Sequence, residues 1–146
     1  MEMGSPTEAL SRGMERNGAA IALYRAISRR SGERWLAGMS GTWREQREGL
    51  AEELSRLATA FPPFLDAGKI AMPPPIIPRQ DIALESSRTI VEVMRDIENE
   101  DLDLYAALAQ AIEGEPNLAQ QLSSIAERAK LRIKIAESHL DLLALE

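Results

Sequence analysis

Met72-Pro73-Pro74-Pro75-Ile76-Ile77-Pro78 lies at the midpoint of the 146-residue chain and divides it into two halves of matching design. Proline fixes φ and lacks an amide proton, so four prolines in seven residues exclude a helix and favour extended backbone. The wider stretch 61–80 holds six of the eight prolines and reads as one extended connection. On its two sides Leu23-Tyr24-Arg25-Ala26-Ile27 matches Leu104-Tyr105-Ala106-Ala107-Leu108, each followed by a Gly-marked turn and a long amphipathic segment. The chain is a helical hairpin written twice.

Apolar periodicity predicts four helices, at about 6–30, 33–59, 82–112 and 116–145, in a single domain over 1–146. Ser5-Pro6-Thr7-Glu8 opens the first with a capping box and a proline in the first turn. Its inward stripe is Leu10, Gly13, Asn17, Ala20, Ile21, Tyr24 and Ile27. Gly32 is expected to end it in the left-handed conformation. The second helix turns inward Leu36, Met39, Trp43, Leu50, Leu54 and Leu57, and the third, capped by Asp81, turns inward Ala83, Ile90, Met94, Ile97, Asp101, Tyr105, Leu108 and Ile112, with Glu98 at the edge. Glu113-Gly114-Glu115-Pro116 separates it from the fourth, whose inner face runs from Leu118 and Leu122 to Leu140 and Leu143.

A second helix of about 27 residues is roughly 40 Å long, whereas 20 extended residues reach roughly 60 Å. The connection can therefore run the length of a bundle and return the third helix parallel to the second. A flexible linker between two separate hairpins is the competing reading, but loops this long are uncommon inside compact domains.

Composition narrows the class of function. The net charge is −6 and the isoelectric point near 5.0, which disfavours nucleic acid as a partner. With no cysteine, thiolate metal sites and Cys nucleophiles are excluded. No apolar run reaches membrane-spanning length and the N-terminus lacks the hydrophobic region of a signal peptide, so the expectation is a cytoplasmic protein.

Chain order, the central crossover and the duplicated Leu-Tyr segments resemble the rubrerythrin-like branch of the ferritin-like superfamily over nearly the whole chain. The resemblance implies an all-α, ferritin-like four-helix bundle and a site for two iron or manganese ions. It further implies a Glu seven residues before each Tyr on the first and third helices, and Glu-x-x-His on the second and fourth. The matching positions here are Asn17, Trp43, Gln46, Glu98, Ala129 and Arg132. Only Glu98 is retained, with Asp101 a weak additional candidate. Glu45, Glu48 and Glu127 point away from the apolar stripes of their helices. Trp43 and Ala129, one large and one small, are expected to compensate each other in a site converted to core.

Buried carboxylates need partners. Arg132 is expected to stand where metal cations would and to neutralise Glu98, Asp101 or both, with Gln46 and Asn17 completing the hydrogen bonds. The competing reading puts Glu98 and Asp101 at a wet helix boundary and Arg132 in solvent. His139, the only histidine, is expected to be solvated or capping, and Tyr24 and Tyr105 to be core aromatics whose hydroxyls find partners. No nucleophile–base pair or phosphate-binding glycine loop is present, so an enzymatic role is not favoured.

A second apolar stripe on the fourth helix, Leu131, Ile135, Leu142 and Leu145, needs a cover. The crossover or another subunit would supply it, and a homodimer is the preferred expectation. Pro73-Pro74-Pro75 and Pro78 also suit a polyproline ligand, although packing of Ile76 and Ile77 on the bundle explains them as well. Three functions remain: a ferritin-like protein without its di-iron centre, serving a structural or interaction role and needing no cofactor; a metal-binding relative using Glu98 and Asp101 for iron storage, peroxide or oxygen chemistry; and a carrier of lipid or another small molecule.

Overall fold

The computed structural model describes residues 2–62, 68–79 and 81–145. It is an all-α four-helix structure with helices α1 Pro6–Arg30, α2 Arg34–Ala60, α3 Ser87–Ala111 and α4 Pro116–Leu143. The positions of the expected connection at 63–67 and Gln80 lie outside the described residues.

Helix α1 begins as its sequence dictates. The Ser5 hydroxyl accepts from the Glu8 amide at 3.1 Å and Glu8 Oε1 accepts from the Ser5 amide at 3.0 Å, with Pro6 in the first turn. The turn into α2 departs from expectation. Gly32 does not take positive φ; Ser31 is extended instead, and its hydroxyl accepts from the Glu33 amide at 3.1 Å. A serine turn does the work assigned to a left-handed glycine.

Helix α3 starts five residues later than the apolar pattern suggests. Asp81 makes no side-chain cap and precedes a short 3-10 turn at Ile82–Leu84; Ser86 is the cap, its hydroxyl accepting from the Thr89 amide at 3.2 Å. Ile82 is buried, so it continues the apolar stripe without continuing the helix. Ala83 is in that turn and only partly buried.

The connection lies along α1. Within it strand β2 at Ile70–Ala71 pairs antiparallel with β1 at Met3–Gly4, a ribbon too short to show in the sequence pattern. Proline carbonyls are the only backbone hydrogen-bonding groups of a proline run, and arginines of α1 take two of them: Arg12 Nη1 donates to the Pro73 carbonyl at 2.6 Å and Arg16 Nη1 to that of Pro74. Ile76 packs on the buried cluster around Tyr24 and Ile27. Ile77 is exposed instead of packed on the bundle.

The connection therefore passes from the end of the bundle where α1 begins to the end where it finishes, and α3 starts there. Cross-helix pairs fix the directions. Ser40 meets Met94 while Arg47 meets Glu98 and Asp101, so α2 and α3 run the same way. Arg128 meets Glu53 while His139 meets Trp35, so α2 and α4 run oppositely.

Two apolar clusters fill the interior. One gathers Leu10, Leu54, Leu57, Leu108 and Leu122 at the end where α1 begins; the other gathers Tyr24, Ile27, Leu36, Trp43 and Met94 at the opposite end. On every helix the residues between the two clusters include a buried polar or charged side chain: Arg16 and Asn17, Arg47, Glu98 and Asp101, and Arg132. A charged layer crosses the middle of the bundle.

Candidate functional site

At the centre of this layer is Glu98. Its Oε1 accepts from Arg132 Nε at 2.7 Å, and its Oε2 accepts from Arg47 Nη2 and from the Tyr24 hydroxyl, both at 2.7 Å. One turn along α3, Asp101 takes Arg16 Nε on Oδ1 at 2.8 Å, and its Oδ2 lies 2.7 Å from Arg47 Nη1. That last contact is an ion pair without hydrogen-bond alignment, since Asp101 Oδ2 accepts no hydrogen bond; Arg47 Nε, on the same guanidinium, also makes none. Arg47 thus bridges both acids, and all of these charged side chains are buried.

The amides finish the layer. Asn17 Nδ2 donates to the Arg47 carbonyl at 2.9 Å and its oxygen accepts from Arg47 Nη1 at 3.2 Å; Gln46 Oε1 accepts from Arg132 Nη1 at 3.1 Å. Trp43 sits edge-on to Tyr24, ring centroids 5.8 Å apart, and the Arg47 guanidinium is 5.8 Å from the Tyr24 ring centroid. Ala129 is buried, and Glu45 and Glu127 are exposed.

Three arginines accompany two fully buried acids, and Arg16 Nη2 reaches a third, the partly exposed Glu100, at 3.3 Å. Burial alone would push the Glu98 carboxyl up, but the Arg47 and Arg132 guanidiniums and the Tyr24 hydroxyl outweigh it and hold it below the usual glutamate value. Burial likewise disfavours the Arg47 cation, and Glu98 and Asp101 reverse the sign, holding its proton more firmly than in water. The phenols go the other way. Burial, reinforced by the neighbouring acids, raises both Tyr24 and Tyr105.

Arg132 is withdrawn from solvent as the partner of Glu98, so the reading that leaves it solvated is corrected. Of the two acids it was expected to neutralise singly or together, Arg132 takes Glu98, and Arg16 and Arg47 hold Asp101. Neither arginine stood out in the sequence as a site residue. A signal was present: Arg47 falls four residues after Trp43 and three before Leu50, on the buried stripe of α2. A charge on such a stripe requires a buried counter-charge.

Tyr24 and Tyr105 are not equivalents. Tyr24 donates to Glu98, while the buried Tyr105 hydroxyl makes no hydrogen bond, contrary to the expectation that both find partners. It fits against Gly13, where a Cβ would come within 2.8 Å of it. His139 is neither solvated nor a cap; it is half-buried and stacks on Trp35 with ring centroids 4.7 Å apart.

Among the described residues no group of three or more His, Asp and Glu side chains gathers at one point. Glu98 and Asp101 face guanidiniums where a pair of transition metals would take further carboxylates and imidazoles. As placed, these side chains are not a di-metal donor set. What they form is a neutralised, hydrogen-bonded layer that ties all four helices together.

No family matches. Comparison of the chain with models of protein families, with curated proteins and with solved structures gave no match in any of the three. Among the described residues no helix is long and apolar enough to cross a membrane.

Proposed function

We propose that this chain is a ferritin-like protein of the rubrerythrin-like kind in which a buried arginine–carboxylate layer stands in place of the di-metal centre, and that it serves as a structural or protein-interaction module in the cytoplasm. One observation carries the reading: both oxygens of Glu98, the single retained family-matched acid, are engaged by Arg47, Arg132 and Tyr24. The parallel course of α2 and α3, joined by a connection along α1, supports the same lineage, since ferritin-like bundles use one long crossover.

Guanidiniums supply positive charge and directed donors where the family places metal ions, but they cannot change oxidation state. A charge-neutral layer fixes the register of four helices and provides no redox chemistry. Expression in medium supplemented with iron and manganese, followed by elemental analysis, tests this. The expected result is far less than one ion per chain. Stoichiometric iron or manganese that disappears in Glu98→Ala would instead favour a metal-binding relative with an atypical site at Glu98 and Asp101.

A further inference from the structure

Helix α4 carries an apolar face that the described residues leave uncovered. The crossover is on α1, on the other side of the bundle, so it does not supply the cover that the sequence called for. Leu131, Ile135 and Leu142 are 59%, 45% and 62% exposed, and Leu145 just beyond the helix is also exposed. With Ser138 these positions are spaced by four, three, four and three residues, the heptad seam of a two-helix contact. At 100° per residue the seam is roughly 80° wide and opposite the face that enters the core.

Charge selects the occupant and its direction. Lys134 and Asp141 lie on the same flank of this seam, both exposed, and neither has an ion-pair partner among the described residues. We propose that the face binds a second copy of the chain, with the two α4 helices antiparallel about a two-fold axis at Ser138. In that arrangement like flanks meet, and Lys134 of one copy comes to within about one residue's rise, roughly 1.5 Å along the axis, of the level of Asp141 in the other, twice by symmetry. A parallel pair would bring Lys134 against the opposite flank, where His139 stands, and leave both charges without partners.

The same register sets the ends. Leu145 of one copy is level with Leu131 of the other, so a leucine pair closes each end of the seam. Burial of the seam against itself removes from water the apolar side chains that the monomer exposes.

Sedimentation equilibrium of the intact chain at tens of micromolar is expected to give twice the 16.1 kDa mass of one chain. Lys134→Asp should weaken the dimer about tenfold or more, and the double variant Lys134→Asp with Asp141→Lys should restore it to within about threefold, because the swap re-forms both pairs. All three proteins keep their exposed positions outside the core, so helix content by circular dichroism stays unchanged. The chain has no cysteine, so Ser138→Cys alone should form an intermolecular disulfide on oxidation, while Ser123→Cys, off the seam, should not. A monomer under these conditions would overturn the proposal. So would a dimer indifferent to the charge swap, or one in which Ser138→Cys fails to cross-link.

Discussion

Arg47 Nη2 and Glu98 Oε2 meet at 2.7 Å across the bundle, with both side chains wholly withdrawn from solvent. An unpaired charge at such a depth costs several kcal/mol, so each of these residues makes the other tolerable. Removing both together is a different matter, because apolar replacements of similar size are often neutral or better. The layer is therefore best regarded as a device that specifies one helix register. Every member must be present for the acids to be satisfied.

Arg12 and Arg16 hold neighbouring carbonyls of the proline run but are expected to differ greatly in weight. Arg16 is buried and also carries Asp101, so Arg16→Met should lower unfolding free energy by about 3–5 kcal/mol. Arg12 pairs with the exposed Glu2 at the rim, and Arg12→Met should cost no more than about 1 kcal/mol. Urea unfolding of the two variants measures the difference. Equal losses would mean that the charged layer adds nothing to the hold on the crossover.

The two matching tyrosines give opposite expectations. Tyr24→Phe removes a hydrogen bond to a buried carboxylate and should cost about 1.5–3 kcal/mol. Tyr105→Phe removes a hydroxyl that bonds to nothing and should change stability by less than about 0.5 kcal/mol or raise it. Gly13→Ala would drive a methyl against that hydroxyl and should be destabilising by about 1–3 kcal/mol, less so when combined with Tyr105→Phe. Thermal melts of the four variants decide the matter, and a full loss on Tyr105→Phe would contradict the placement of its ring.

Acid should unfold the protein partly through Glu98. Its folded pKa is depressed, so its contribution is fully present above the unfolded glutamate value, about 4.3, and drains away as pH falls through the lower folded value. Denaturant midpoints measured downward from neutral pH should therefore fall steeply below that point in the native chain. In Glu98→Gln the acid limb should be flatter, although the variant starts from lower stability. An unchanged slope would assign the acid sensitivity to other carboxylates.

Much of this was legible in the sequence, and the failures share a physical cause. Periodicity found the four helices and the proline run found the crossover, because apolar faces and missing amide protons act locally. Phase put Asp101 on the inner stripe of α3 with Glu98 at its edge, whereas Arg132 was singled out by the family resemblance and not by periodicity. Arg16 and Arg47 escaped because a charged residue on a buried stripe is usually read as a boundary, and only their long-range partners on α3 show that they complete it. The pattern places the start of α3 at Asp81 because Ile82 is buried by a 3-10 turn and mimics the helix stripe, whereas the cap is Ser86, which accepts from the Thr89 amide. The ribbon of Met3–Gly4 with Ile70–Ala71 involves too few residues to carry a period.

The most direct test is a double-mutant cycle between Arg47 and Glu98, using Arg47→Met, Glu98→Gln and the pair, followed by urea unfolding at neutral pH. Each single variant should lose about 3–5 kcal/mol, and the double variant should fall short of the sum by about 2 kcal/mol or more, the coupling of two buried charges in contact. Additive losses, with a coupling below about 0.5 kcal/mol, would contradict the account by showing that Glu98 does not depend on the guanidinium beside it.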